Sequence, residues 1–305
     1  MTSGIINFNK PRGRTSFSVI GPVRRGTGER RVGHAGTLDP MAEGVLVICI
    51  GAATRVTEYL MDLPKTYRGT ITLGVETDTY DAEGQVTATR EVNVSEEQVR
   101  EALGAFTGEI EQRPPAHSAL KIEGRPAYER ARKGEEIEMK ARRVHVYRVD
   151  VVRFELPEVE IEVECSRGTY IRSLAHDLGE ALGCGGHLSA LTRTRIGPFR
   201  VEEAVTPEAL EAAFEDGTWP DLVQPIDCGL MHLPAITARM SLEQDLRHGQ
   251  AARIDDPAEA LHGAGALTDG LHVRGYAEDG SLIGILRYEA ATGMWHPHKV
   301  FDLTA

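Results

Sequence analysis

The distribution of hydrophobic and polar residues along the chain predicts a protein that combines strands and helices. A short apolar run at residues 4–8 is typical of a first strand, and the β-branched run at 45–51 is typical of a buried strand. Residues 65–74 are predicted to form another strand, in which every second side chain points to the same face. That face would carry Tyr67, Gly69, Ile71 and Leu73.

Two helices are predicted from the residues that begin them. Ser95 can cap a helix that extends to Phe106, and Gln98 completes a capping box three residues later. Thr169 is the candidate cap of a second helix within residues 167–183. The buried stripe of this second helix is predicted to consist of Ile171, Leu174, Leu178 and Leu182.

The character of the chain changes near Glu203. Before this point, residues 144–154 and 159–166 alternate as two further strands around a turn at Pro157. After it, the chain becomes acidic and rich in turn residues, and residues 235–305 contain short strands divided by Gly and Asp. This pattern is typical of a small β-barrel, so we expect a second, smaller unit at the C-terminal end.

Composition and cysteine spacing narrow the class of protein. The chain has 305 residues, of which 41% are hydrophobic and 26% charged, as is ordinary for a globular protein. It contains no run of about 18 apolar residues and no signal-peptide pattern, so we expect no membrane span and a cytoplasmic location. The cysteines show neither metal-ligand nor disulfide spacing, and we predict no metal. They are Cys49, Cys165, Cys184 and Cys228.

The formal net charge of −12 argues against binding of nucleic acid by the surface as a whole. Two segments are nevertheless basic. Residues 10–33 contain seven Lys or Arg and one acidic residue, and residues 113–153 contain eleven Lys or Arg and six acidic residues. Phosphate binding depends on local positive charge, so these segments allow an RNA partner. Charged runs are also common as solvated surface, and the charge pattern alone leaves both interpretations open.

The candidate chemistry is concentrated in residues 33–46, which read GHAGTLDPMAEGVL. Three glycines allow the backbone to approach a ligand closely. Pro40 restricts the preceding residue, so we expect Asp39 to be held at a corner between this loop and a helix. A carboxylate fixed on such a loop is a candidate catalytic group. An Asp before a Pro is also a common start of a helix, with Asp39 as a purely structural cap.

The ordered pattern of this loop resembles the catalytic motif of the pseudouridine synthases, and in detail that of the TruB family. In this resemblance Asp39 has the place of the essential carboxylate. Two further stretches match the family: Ser118 to Arg132, which carries the pattern SALKxxGxxxYxxAR, and residues 187–199, which carry LxxLxRxxxGPF. The resemblance extends from residue 4 to about residue 230 and is looser beyond.

The resemblance implies roles for several other residues. Arg172 would form a salt bridge with Asp39, and Tyr67 would stack on the target base, where it could also take a proton. Tyr170, Leu191 and His34 would line the pocket, pack against the flipped base and fill the space that it leaves. Without the family pattern, each would be an ordinary surface, core or loop residue. The implied substrate-binding residues are His34, Tyr170, Leu191, Lys10, Lys121, Arg125 and Arg132. For Lys10, an ordinary turn at Lys10-Pro11 is an equally good interpretation.

The resemblance also implies the architecture. We expect an α+β pseudouridine synthase fold with a mixed, mainly antiparallel sheet over residues 1–230, including a thumb insertion at about 112–142. Residues 235–305 would form a PUA-like RNA-binding barrel. Asp78 and Asp81 lie in a carboxylate-rich run near the expected cleft and are secondary candidates.

The implied function is isomerisation of the uridine at position 55, in the T loop of tRNA, to pseudouridine. The base would be flipped into the pocket, and the reaction would need no cofactor. The partner would be the tRNA T arm, and we expect a monomer without an obligatory protein partner. One alternative is a chaperone that folds tRNA without chemistry. Another is the catalytic subunit of a guide-RNA particle, which would share the Asp loop but which the thumb insertion argues against.

Overall fold

The computed structural model describes residues 2–118, 121–122, 125–126, 139–254, 261–262 and 267–301, with the backbone alone at 121–122 and 125–126. The strands are β1 (Gly4–Lys10), β2 (Val32–His34), β3 (Glu43–Ile50), β4 (Lys65–Leu73), β5 (Val75–Thr77), β6 (Val86–Thr89), β7 (Gly108–Gln112), β8 (Lys121–Ile122), β9 (Arg125–Pro126), β10 (Arg142–Glu155), β11 (Glu158–Cys165), β12 (Gly186–Ile196), β13 (Phe199–Arg200), β14 (Ala235–Ala238), β15 (Leu261–His262), β16 (His272–Ala277), β17 (Leu282–Glu289) and β18 (Met294–Val300).

The α-helices are α1 (Ser16–Thr27), α2 (Thr57–Asp62), α3 (Glu96–Gly104), α4 (Ile171–Ala181), α5 (Pro207–Asp216) and α6 (Met240–Arg247). Short 3-10 helices lie at Gly51–Val56, Val201–Glu203, Trp219–Leu222 and Ile226–Gly229. Within the described part of the chain, every helix is too short or too polar to cross a bilayer.

A nine-stranded sheet forms the centre of the larger unit. Its strands follow the order β1-β3-β12-β4-β11-β10-β7, with β2 and β13 added beside β3 and β12. Where the strands are described, β3 and β12 run parallel and the other neighbours are antiparallel. The predicted α+β fold with a mixed, mainly antiparallel sheet is therefore confirmed.

The strands predicted from hydrophobic patterning are present with small shifts at their ends. Strand β4 buries Gly69, Ile71 and Leu73 on one face, and Tyr67 on that face is half-buried. Helix α4 packs its apolar stripe against this face and forms one core with it. Because α4 and β4 carry candidate residues, this packing brings distant parts of the chain together.

The helix starts were predicted with mixed success. The capping box of Ser95 and Gln98 is confirmed at α3. The prediction that Thr169 caps α4 is wrong, because the helix begins at Ile171 with Tyr170 in the cap position. The side chain of Gln112 explains the difference. Its amide oxygen accepts from the Tyr170 N–H at 2.7 Å and its amide nitrogen donates to the Tyr170 carbonyl at 2.9 Å.

A second, five-stranded sheet follows, with the order β15-β14-β16-β17-β18 and helix α6 beside it. This separate sheet agrees with the predicted small C-terminal β unit. It packs tightly on the larger unit, because Leu282, Ile285 and Phe301 share one core cluster with Ile5 and Leu60.

Polar contacts add to this junction. The Tyr276 hydroxyl donates to Asp227 Oδ2 at 2.6 Å, and Arg274 Nη1 donates to the same hydroxyl at 3.0 Å. The segment that connects the two units is therefore bonded directly to the C-terminal sheet.

The contact between β3 and β12 depends on Gly44. This residue has a φ of 100°, and a Cβ placed on it would lie 2.3 Å from the carbonyl oxygen of Arg193. No side chain can occupy that space unless one of the strands moves.

We expect Gly44→Ala to lower the free energy of unfolding by at least about 2 kcal/mol, from backbone strain and the forced separation of the strands. Gly104→Ala is the matched control, because Gly104 lies in helix α3 with open space around its Cβ position. That control should be neutral or stabilising by up to about 1 kcal/mol. Urea unfolding of both variants measures the difference, and equal stability of the two would contradict this account of Gly44.

Candidate active site

Asp39 lies in a loop that joins β2 to β3 through a tight turn. The Ala42 N–H donates to the Asp39 carbonyl at 3.1 Å, and the chain enters β3 one residue later. No helix starts at Pro40, so both the predicted loop-to-helix corner and the helix-cap alternative for Asp39 are wrong. The physical reason is that the chain enters the paired strand β3 at Glu43, so too few residues follow Pro40 to form a helical turn.

Two anchors fix the backbone of this loop. The Ser16 side chain accepts from the Leu38 N–H at 2.8 Å and donates to the Leu38 carbonyl at 3.1 Å. From the other side, the guanidinium of Arg193 donates to carbonyls of the loop and of β3. Its acceptors are Gly36 at 3.0 Å, Thr37 at 3.4 Å and Val45 at 2.7 Å.

The carboxylate of Asp39 meets the guanidinium of Arg172, which is the pairing that the family resemblance implies. Arg172 Nη2 donates to Asp39 Oδ1 at 3.0 Å, and Nε lies 2.9 Å from Oδ2 without directing its hydrogen at that oxygen. The Arg172 side chain is 3% exposed, whereas that of Asp39 is 33% exposed. One edge of the carboxylate is therefore held by a buried cation while the rest stays open to a ligand.

Arg172 has further acceptors around it. Its Nη1 lies 3.2 Å from Asp81 Oδ2 and donates to the Thr79 carbonyl at 3.2 Å, and Nη2 also donates to the His117 carbonyl at 3.0 Å. A cation in the first turn of a helix opposes the helix dipole, and a buried one also loses its hydration. The two carboxylates offset both costs and hold the guanidinium in one place.

The Asp39–Arg172 pair lines a cavity of about 830 Å³. Its lining comes from the start of α1, the Asp39 loop and side chains between Asp78 and Gln85. His117 and Ser118, within the predicted thumb insertion, also line it. A cavity of this size can accept a nucleoside-sized group.

Tyr67 and Leu191 lie beside this cavity in the core and are not among the residues that line it. Tyr67 pairs across the sheet with Arg193, and Leu191 pairs with Gly69 on the same face. Burial raises the pKa of Tyr67, and the positive charge of Arg193 opposes the shift. The hydroxyl therefore stays protonated at neutral pH.

Tyr170 is fixed by the two hydrogen bonds between its backbone and the side chain of Gln112. Burial raises the pKa of its hydroxyl, and the charge of Asp39 raises that pKa further. His34 lines the cavity, and its buried Nδ1 has no hydrogen-bond partner among the described residues. Burial and the nearby Arg193 lower the pKa of His34, so its ring is neutral at neutral pH.

Lys10 is fully buried. Its ammonium donates to the carbonyls of Pro11 at 2.9 Å and Arg14 at 2.7 Å, and burial lowers its pKa to about 8. In this arrangement it stabilises the turn before α1, and its contact with a substrate stays a prediction. Lys121 and Arg125 lie in strands described by their backbone alone, and Arg132 lies outside the described residues.

Asp81 and Arg193 are more important to the site than their sequence patterns indicate. Asp81 was only a secondary candidate, although its carboxylate lies against Arg172 at the site. Arg193 was included in a matched pattern but received no role. The available signals were the polar run TDTYDAEG and the place of Arg193 in the matched pattern of residues 187–199. Neither signal reveals burial, which is what gives these two charges their importance.

Residues 24–171 match the TruB family pseudouridylate synthase N-terminal domain, and residues 172–231 match the tRNA pseudouridylate synthase B C-terminal domain. The tRNA pseudouridine synthase B of Thiobacillus denitrificans is 45% identical over 287 residues, which are 94% of this chain and 92% of that protein. That of Aromatoleum aromaticum is 49% identical over 236 residues, 77% of this chain and 76% of the relative.

Solved structures agree with these matches. A Cbf5-Nop10-Gar1 complex aligns with a TM-score of 0.74 at 31% identity and covers 94% of this chain and 79% of that chain. An H/ACA RNP bound to a substrate RNA aligns with a TM-score of 0.76 at 28% identity, over 98% and 85% of the two chains. The predicted pseudouridine synthase fold is thus confirmed. On the family matches and the curated relatives together, this chain belongs to the TruB family of pseudouridylate synthases.

Proposed function

We propose that this enzyme converts the uridine at position 55, in the T loop of tRNA, into pseudouridine, with the base turned out of the loop and into the cleft at Asp39. The observation that carries the proposal is the Asp39 carboxylate. It is one-third exposed on the wall of a nucleoside-sized cavity and is oriented from behind by the buried Arg172. The relatives are named for activity on tRNA, which supports this substrate.

The reaction sets clear demands on such a site. The bond between C1′ of the ribose and N1 of uracil breaks, and a bond between C1′ and C5 forms. C5 loses a proton and N1 gains one, so atoms and electrons balance without a redox partner, and we propose no cofactor. A base stacked inside the loop exposes neither C1′ nor C5 to a side chain, so flipping must come first.

Within this scheme, Asp39 acts as nucleophile or proton acceptor, and Arg172 holds it through a charge-assisted hydrogen bond. Tyr67 and Leu191 would form the surface against which the base packs once the base reaches past the residues that line the cavity. Because its pKa is raised, Tyr67 would enter the reaction as the phenol and would need to lose its own proton before accepting one. The neutral ring of His34 occupies the space that the flipped nucleotide leaves.

We propose residues 1–230 as the catalytic domain, with the insertion at about 112–142 closing over the T arm. Lys121, Arg125 and Arg132 would contact phosphates there, and residues 235–305 would act as a PUA-like RNA-binding domain. We further propose that the protein works in the cytoplasm as a monomer. A measurement of mass in solution, with and without tRNA, tests the monomeric state.

The first test is Asp39→Asn. The amide keeps the size of the side chain and removes its charge, so we expect the formation of pseudouridine to fall by at least about 10³-fold, because the reacting group itself is lost. Binding of tRNA should remain, because Asp39 makes no attractive contact with phosphate. Release of tritium from C5-labelled uridine in tRNA measures the rate.

Asp62→Asn is the matched control, because Asp62 pairs with Arg167 on the exposed surface. It should be as active as the unmodified protein. Activity retained in Asp39→Asn would remove the central role of this carboxylate. Absence of activity in the unmodified protein would instead favour an RNA-folding activity without chemistry.

The second test is Arg172→Lys. An ammonium keeps the charge but cannot reach Asp39, Asp81 and two carbonyls together, so Asp39 loses its fixed orientation. We expect kcat to fall by about 10²-fold, while the KM for tRNA changes little. Circular dichroism at the assay temperature checks that the variant is folded. A folded Arg172→Lys variant with unchanged kcat would contradict the orienting role.

A further inference from the structure

Phe17 is an exposed aromatic residue on the wall of the active-site cavity. Its relative exposure is 76%, the highest among the large hydrophobic residues that the structure describes. It lines the same cavity as His34, Asp39 and Arg172. A single exposed hydrophobic residue is common on protein surfaces. Phe17 is informative because it forgoes the free energy of burial on the wall of a cavity, where a ligand could cover it.

The fold holds Phe17 firmly in this position. Helix α1 is capped by Thr15, whose Oγ1 accepts from the Ser18 N–H at 3.0 Å. Ser16 is bonded to Leu38 in the Asp39 loop, as described above. The buried face of α1 consists of Ser16, Val19, Ile20 and Val23, and Phe17 lies outside it. The ring is therefore directed away from the core by a helix that is tied to the catalytic loop.

The surroundings of the ring favour a ligand that is flat and carries negative charge on one side. Arg12 and Arg14, in the turn just before α1, are both exposed. The lining of the cavity also includes the carboxylates of Asp78 and Glu83, which repel phosphate. A nucleotide fits this arrangement when its base lies on the ring and its phosphate faces the basic turn.

We propose that Phe17 is a stacking surface for an unpaired base of the RNA substrate, next to the reacting uridine. This inference rests on the proposed function and adds to it a contact outside the reacting base. Aromatic rings bind unpaired bases through their π faces without requiring a particular sequence. Phe17 thereby contributes to binding and to the register of the RNA in the cleft, and it takes no part in the bond changes.

The first experiment compares Phe17→Ala, Phe17→Leu and Phe17→Trp on a T-arm stem-loop RNA. Loss of one stacked base corresponds to a change of about 5- to 100-fold in affinity, so KM should rise by that factor in the Ala and Leu variants. Their kcat should stay within about two-fold, because the reacting groups are untouched, and Trp should restore KM by stacking. The melting temperatures should match that of the unmodified protein, because the ring is exposed.

Tyr147→Leu is the matched control. Tyr147 is aromatic and 51% exposed but does not line the cavity, so its replacement should leave KM unchanged. If Phe17→Leu behaves like the unmodified protein, the contact is not stacking and the proposal is overturned. The same holds if Phe17→Ala leaves KM unchanged.

The second experiment identifies the base. Stem-loops that contain pseudouridine at the reacting position cannot react further, so their affinity can be measured at equilibrium. An abasic nucleotide is placed in turn at each loop position beside the reacting one. At the stacked position, the losses of binding free energy caused by the abasic nucleotide and by Phe17→Ala should not add. At the other positions the two losses should add. Additivity at every position would overturn the proposal.

The unmodified protein serves as the reference that separates the two inferences. If it forms no pseudouridine in tRNA, the proposed function fails and the stacking proposal fails with it. If it is active and the Phe17 variants are indistinguishable from it, only the stacking proposal fails.

Discussion

The ion pair between the buried Arg172 and the partly exposed Asp39 is the interaction on which the site depends. A guanidinium withdrawn from water must recover its lost hydration from nearby acceptors, and here two carboxylates and two carbonyls supply them. These acceptors come from parts of the chain far apart in sequence, so the requirement to satisfy one cation ties those parts together. Asp39 is thereby aligned by a guanidinium that is itself almost fully withdrawn from water.

Arg193 supports the same site from the opposite side by a different physical means. It is 1% exposed, and its described acceptors are carbonyl oxygens of the loop and strand that carry Asp39. Burial lowers the pKa of His34 and raises that of Tyr67, and the charge of Arg193 adds to the first shift and opposes the second. A buried cation thus fixes the loop and also shapes the electrostatics of its neighbours.

Much of this arrangement could be predicted from the sequence. Alternating polarity identified the face of β4 that carries Tyr67, and the capping box of Ser95 with Gln98 identified the start of α3, because both signals are local. Thr169 failed as a cap because Gln112, far away in the sequence, satisfies the backbone at Tyr170. The turn after Asp39 could not be distinguished from a helix start, because Asp-Pro favours both and the pairing of β3 decides between them.

The junction between the two units has a consequence for how an RNA would be held. Leu282, Ile285 and Phe301 are part of a core that also contains strands of the larger unit, and the hydrogen bond from Tyr276 to Asp227 fixes the connecting segment. These contacts therefore fix the distance between the C-terminal sheet and Asp39, which a flexible linker would not do. An RNA that contacts the C-terminal sheet and Asp39 at once must match the distance between them. The protein would therefore select substrates in which these two contacts lie at that distance.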